Sequence, residues 1–159
     1  MTNANPAIDP SIVTDAVVVG HDGSDDSARA VRWAHADADR RGVQLVVLRA
    51  WSLKTAPRPA GADLSYVPIE DEFALAVRDA LTADLERVLG AEAIADLVPL
   101  PVHRPAEEAL VEASRNAAVT VVGARGAGLA RWLGSVTASV VRHANGPVVV
   151  VPQGGGPAA

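Results

Sequence analysis

Ala16-Val-Val-Val-Gly20 is followed by His21-Asp22-Gly23-Ser24, by a polar and apolar mixture from Asp25 to Arg41, and by Gly42 with the run Val43 to Trp51. The first run is short, apolar and β-branched, and reads as a strand. From Asp25 to Arg41 the apolar Ala28, Val31, Trp33, Ala34 and Ala38 recur roughly at i, i+3, i+4 spacing, which reads as a helix. Asp25 and Asp26 stand in its first turn, where carboxylates suit the positive end of the helix dipole, and Gly42 stops it. Val43 to Trp51 is a second strand. Two continuous apolar strands joined by an amphipathic helix predict a parallel pair.

The alternation continues downstream. Ser52 to Pro68 is rich in Pro, Gly and Ala, and two readings stay open for it, a lid and a poorly ordered insert. A helix starts near Ile69, with Glu70, Asp71 and Glu72 in its first turn, and runs to about Leu89. Ala91 to Leu97 is ambiguous, with room for a short extra turn. Val98 to Val102 is a third strand whose Pro99 and Pro101 suit a sheet edge, where missing donors face away from the ladder. Pro105 suits a first helical position beside Glu107 and Glu108, in a helix reaching about Asn116. Val119 to Gly123 is a fourth strand, Ser135 to Ala144 a helix, and Pro147 to Val151 a fifth strand.

The expected fold is therefore α/β, a single-domain open parallel five-stranded sheet with helices on both faces, over residues 15–152. Met1 to Thr14 carries Asp9 and no Lys or Arg, so it lacks the basic start of a secretory signal and is expected to be a flexible leader. Gln153 to Ala159, with three consecutive glycines, is expected to be a flexible tail.

Composition narrows the function. Hydrophobic residues at 49% and charged residues at 21% belong to a globular chain rather than a disordered one. The absence of cysteine removes thiolate nucleophiles, disulfides and cysteine-ligated metals from consideration, and fits a reducing compartment. A net charge of −5 and no Lys/Arg run argue against nucleic-acid and anionic-membrane binding. No apolar stretch approaches the roughly 18 residues of a membrane span.

In parallel sheets ligands bind beyond the carboxyl ends of the strands. Two of those loops are unusual. The one after the fourth strand reads Gly123-Ala-Arg125-Gly126-Ala-Gly128-Leu-Ala-Arg131-Trp132-Leu-Gly134-Ser135. Gly134 and Ser135 open a helix whose first-turn amides form an anion site. The other three helices carry Asp or Glu in the first turn, whereas Ser135-Val136-Thr-Ala-Ser139 has no carboxylate and leaves a vacancy that an external anion fills. The competing reading makes Ser135 a simple N-cap and the glycines a flexible loop. The familiar phosphate motifs are missing: the one lysine, Lys54, lies in another loop, and Gly126-Ala-Gly128 lacks the third glycine of a dinucleotide fingerprint. The second loop holds Asp22, either an acceptor for a ribose hydroxyl or a phosphate-bound metal, or a residue that caps its own turn.

These pieces together resemble the universal stress protein family over Asp15 to Val151. The resemblance rests on Val-Val-Val-Gly-His-Asp22-Gly-Ser24, Leu48-Arg-Ala50-Trp51, Pro105-Ala-Glu-Glu-Ala-Leu, Val-Val-Gly123-Ala-Arg-Gly126, and Gly134-Ser135-Val-Thr before Arg142-His-Ala-Asn-Gly-Pro147. It implies the strand order 3-2-1-4-5, with the switch point between strands one and four. It also implies ATP as ligand, with Mg as an optional companion, in a pocket where Gly123, Gly126, Gly134, Ser135 and Val136 hold ribose and phosphates. Asp22 would face the ribose or a phosphate-bound metal, and the backbone of Ala50 would meet adenine. Gly126 and Gly134 enclose seven residues, Ala127 to Leu133, where the family pattern has nine. This shorter loop leaves two outcomes open, a tighter excursion and an obstructed phosphate path.

Arg125 and Arg131 flank the glycines, either reaching phosphate or solvated as surface charges. His143 suits the last turn of its helix, while His21, His35 and His103 have no metal-ligand spacing, so no metal site is expected. Trp33 is expected in the core; Trp132 either packs down or covers the pocket. The leading functional expectation is a cytoplasmic, ATP-binding regulatory stress-response protein acting on an unknown protein partner, with at most slow hydrolysis or autophosphorylation on Ser24 or Ser135. The alternative is a nucleotide-independent homodimeric module paired through Pro147–Val151. An enzyme is the weakest reading, because no acid–base pair has defined spacing.

Overall fold

The computed structural model describes residues 7–62, 65, 68–125 and 133–153. Strands β1 (Val17–Gly20), β2 (Leu45–Ala50), β3 (Leu97–Val102), β4 (Val119–Gly123) and β5 (Val148–Val151) form one parallel sheet in the order β3-β2-β1-β4-β5. Helices α1 (Pro10–Val13), α2 (Asp25–Arg41), α3 (Glu70–Leu89), α4 (Ala106–Ala113) and α5 (Ser135–His143) complete the order of elements, with a short 3-10 turn at Ala93–Asp96 in the segment whose sequence was ambiguous. No helix is long and apolar enough to cross a membrane among the described residues.

β1 lies at the centre. Val17 pairs with Leu45 on one side and Val119 on the other, and Val19 with Val47 and Val121. Val17, Val18 and Val19 are fully buried because alternate side chains enter two separate cores. Val17, Val19, Leu45, Val47, Val119 and Val121 face α2 and α3, with Trp33 packed against that core as expected. Val18, Val46, Leu48 and Val122 face α1, α4 and α5.

Local signals set the helix limits. The Ser24 hydroxyl accepts from Ser27 N–H at 3.2 Å to cap α2, and Gly42 closes the helix in the left-handed region at φ 66°. Ile69 N–H donates to the Glu72 carboxylate at 2.9 Å, so Glu72 caps the start of α3 from within its first turn. Trp51 N–H donates to Val102 C=O, so the even-numbered peptides of β3 turn toward β2. Pro99 and Pro101 therefore turn their missing donors outward at the sheet edge.

One difference from the sequence reading lies at the two ends of α4. Pro105 is the residue before α4 rather than its first, and α4 stops at Ala113 instead of continuing toward Asn116. The reason is tertiary: the Ser114 hydroxyl donates to Val111 C=O and accepts from Asn145 N–H at 3.0 Å, tying the helix end to the turn before β5.

The second difference is at the amino terminus, expected as a flexible leader through Thr14. Asp9 accepts from Ser11 N–H at 2.9 Å and caps α1, while Ile8 and Val13 are buried against the α4–α5 core. Ile8 N–H also donates to Glu112 at 2.8 Å. Apolar residues within this short segment found a face to cover. Residues 1–6 and 154–159, parts of the expected leader and tail, lie outside the described residues.

Val13 is 1% exposed. Val13→Ala is expected to lower stability by about 1–3 kcal/mol in urea denaturation, through loss of buried apolar surface and a residual cavity. A leader without packing would give no change.

Candidate functional site

The sheet brings together the two loops that the sequence singled out. β1 and β4 are hydrogen-bonded neighbours whose chain connections run in opposite directions, so the loops leaving Gly20 and Gly123 meet at the topological switch point.

Gly123, the last residue of β4, is buried against α2. A Cβ there would lie 3.0 Å from the Asp26 backbone carbon and oxygen, so any side chain would require the α2 backbone to give by a few tenths of an ångström. The same residue organises α5: Thr137 Oγ1 donates to Gly123 C=O at 2.6 Å, and Gly134 N–H donates to Ala124 C=O at 2.9 Å. The two ends of the loop are thereby pinned beside each other. Gly126, the residues Ala127 to Trp132 and the side chains of Arg131 and Trp132 lie outside the described residues, as does the geometry of the shortened loop. Arg125 is half-buried two residues beyond β4.

α5 starts as the sequence suggested, with one correction. Its N-cap is Gly134, not Ser135, and no side chain caps it. Ser135 is the exposed first helical residue, with Val136 half-buried behind it against the α4–α5 core. The first turn carries no acidic residue, whereas α2, α3 and α4 each carry two or three. The amides of Ser135, Val136 and Thr137 are those that helix geometry leaves without intrahelical acceptors. They make this end attractive to an anion, typically by 0.3–1 kcal/mol for the dipole alone.

Asp22 stands exposed in the loop after β1, and Ser24 N–H donates to its Oδ1 at 2.9 Å. It therefore closes its own turn, the local role expected of Asp before Gly. Ala50 ends β2. Leu48 C=O accepts from His21 N–H at 3.0 Å on the β1 side, and Trp51 N–H donates to Val102 on the β3 side. Because peptides alternate along a strand, Ala50 turns its N–H and C=O toward the β1 side, two residues past that Leu48 bond. A cleft of about 400 Å³ opens beside it, walled by Trp51, Thr55, His103 and Pro105. The Trp51 and His103 rings stack at 4.2 Å with 12° between planes.

Sequence reasoning missed a buried network behind the β1 loop. His21 is 4% exposed; its Nε2 meets the Asp84 carboxylate and its Nδ1 meets Ser27 Oγ at 2.8 Å. Asp84 is also paired with Arg87. A carboxylate only accepts, so Nε2 carries the proton and Nδ1 accepts from the Ser27 hydroxyl. Burial pushes the imidazole pKa down, the guanidinium of Arg49 adds to this, and together they outweigh the Asp22 charge; the value falls to about 4. His21 is thus a neutral structural bridge at pH 7. No sequence signal joins His21 to Asp84, which lies 63 residues away on α3.

A family model described as the universal stress protein family matches residues 14–152. A universal stress protein of Mycobacterium tuberculosis is 35% identical over 157 residues, covering 95% of this chain and 50% of that one. A second from the same organism is 33% identical over 149 residues, covering 85% of this chain and 46% of that one. The chain thus spans about half the length of the curated relatives it matches. Among solved structures, a universal stress protein in complex with cAMP is 33% identical, with a TM-score of 0.59 over 86% of this chain and 96% of that one. A universal stress protein from Lactobacillus plantarum, 22% identical with a TM-score of 0.63 over 87% of this chain and 99% of that one, shares the fold.

Gly123→Ala is expected to destabilise the chain by about 1–3 kcal/mol, because backbone rather than a side-chain tip must yield; thermal or chemical denaturation measures it. Acid stability supplies a second expectation. The folded His21 binds its proton less readily than the unfolded chain, so its contribution is present above the unfolded pKa of 6.5 and is lost as pH falls toward 4. Wild type should lose up to roughly 3 kcal/mol more than His21→Gln across that window. Parallel pH–stability curves for the two proteins would contradict this.

Proposed function

The chain belongs to the universal stress protein family, and from that premise we propose that it binds an adenine nucleotide, ATP foremost, where the loops after β1 and β4 meet. In this reading it is a nucleotide-responsive regulatory protein of the stress response rather than a rapid enzyme. The observation that carries the reading is the first turn of α5: uncapped by any side chain, free of carboxylates, and held beside the β1 loop through Gly123. A solved relative at 33% identity was crystallised in complex with cAMP, which supports an adenine nucleotide as the ligand class.

In this reading the ligand lies in a definite orientation. Phosphates sit on the amides of Ser135, Val136 and Thr137, with Gly134 allowing close approach, and Arg125 and Gly126 belong to the loop that borders them. The adenine edge meets the N–H and C=O of Ala50, with its face in the cleft walled by Trp51, His103 and Pro105. Asp22 lies between these ends, placed for the ribose hydroxyls or for Mg carried in on the phosphates. Such an ion would supply charge neutralisation to the phosphates; this chain's own residues bind and orient. Occupancy alters the surface at the start of α5 and so presents a different face to a protein partner in the cytoplasm.

The outer edge of β5 adds a homodimer to this proposal. Val148–Val151 is an edge strand, half-buried throughout and paired on one side with β4. Pairing Pro147–Val151 with the same strand of a second copy would cover an apolar edge that invites association. This surface serves equally if the chain acts without nucleotide, and sedimentation of a monomer at micromolar concentration would remove it.

The test is to denature the purified protein, identify any released nucleotide by mass spectrometry, and titrate ATP and cAMP by calorimetry into wild type and Ser135→Glu. Ser135 is exposed, so the variant places a carboxylate in the vacant first turn. Helix stability should rise by about 0.3–1 kcal/mol, while nucleotide affinity should fall about tenfold or more by charge repulsion. No released nucleotide and no heat of binding in wild type would overturn the reading, as would equal affinity in the variant.

A further inference from the structure

β2 ends in two directions. Ala50 turns its side chain toward the α4–α5 face, whereas Arg49, one residue earlier, belongs to the opposite face with α2 and α3. There the carboxyl ends of β1 and β2 meet α3 around a second cavity, of about 300 Å³, bordered by His21, Gly23, Arg49, Trp51, Leu81 and Asp84. We propose that this cavity is a separate binding site for a small aromatic monocarboxylate, held by Arg49 and independent of the nucleotide.

The charge pattern of the walls selects an anion. Asp84 is engaged through both oxygens, Oδ2 with His21 and Oδ1 with Arg87, so its charge is compensated within the wall. His21 contributes no charge at pH 7, because its single proton is held toward Asp84. Arg49 is different. It is half-buried, and among the described residues it forms no ion pair; its hydrogen bond there is a long one, Nη1 to His21 C=O at 3.4 Å. A guanidinium has five donors in a fixed fork, and removing it from water without an anionic partner is costly. A carboxylate matches that fork in a bidentate manner.

The remaining walls select the rest of the ligand. Val77, Leu81 and Ala80 of α3, with Pro57 and the Trp51 ring, present apolar surface to the cavity. Trp51 is held in place by stacking on Phe73 at 6.4 Å and on His103 at 4.2 Å, so an aromatic body meets a preformed wall. The volume is at the small end of ligand pockets and admits about a dozen non-hydrogen atoms. Gly23 shapes the mouth. Its φ is 86°, and a Cβ at this residue would lie 3.3 Å from Arg49 Nη1, so the backbone leaves room there for the guanidinium and little else.

Benzoate is the probe, titrated into the isotopically labelled full chain and followed by NMR, with benzamide as its neutral counterpart. Saturable shifts are expected at Gly23, the Trp51 indole and the Leu81 methyls, with a dissociation constant of about 1 mM or below for nine non-hydrogen atoms. Benzamide should bind at least about tenfold more weakly, as should benzoate to Arg49→Gln, with Arg49→Lys between Gln and wild type. Binding to Ser135→Glu should be unchanged, which separates this site from the nucleotide site. Equal binding of benzamide, full binding by both Arg49 variants, loss in Ser135→Glu, or shifts that never saturate would each overturn the proposal.

Discussion

A parallel sheet buried on both faces confines its functional groups to the rim where the strands end. Here the constraint is set by β1, whose Val17, Val18 and Val19 are fully buried between neighbours on both sides and helices above and below. Nothing along its length can meet a ligand. Its loop, however, emerges beside the loop of β4 because the chain winds away from β1 in both directions. The close contact of Gly123 with the Asp26 backbone holds α2 against β4 at that crossing. Gly123 C=O then fixes α5 through Thr137, so one residue without a side chain positions two helices around the candidate phosphate site.

Strand alternation does a second job at the end of β2. Arg49 and Ala50 are adjacent in the chain yet serve opposite faces, and the two cavities they border share Trp51. On one face the proposed recognition elements are backbone groups, indifferent to the side chain that carries them. On the other stands a guanidinium beside the Asp84–Arg87 ion pair, to which the neutral His21 is hydrogen-bonded. The division between backbone groups on one face and charged side chains on the other thus follows from the pleat.

Much of the architecture was legible locally. The β-branched runs, the 3.6-residue spacing from Asp25 to Arg41, the Gly42 stop and the outward prolines of β3 each carry their signal within a few residues. The vacancy in the first turn of α5 could be seen by comparing four helix starts. Local signals also misled. The segment before Thr14 was expected to be a leader, yet Ile8 and Val13 are buried on a face made by α4 and α5. Helix α4 was expected to run past Ala113, but Ser114 binds Asn145 N–H, 31 residues on.

By itself, then, the sequence determined the alternation of elements, the parallel character of the sheet, the glycines near the switch point and the family. These depend on periodicity and on residue types whose conformational preferences act over a single turn. Only the tertiary structure decided that Gly134 rather than Ser135 caps α5, that His21 is neutral and bridges Ser27 to Asp84, and that Arg49 faces a cavity apart from Ala50. Each of these depends on burial and on partners far away in the chain. A charge or a tautomer is set by the groups packed around it, and chain order does not encode that distance.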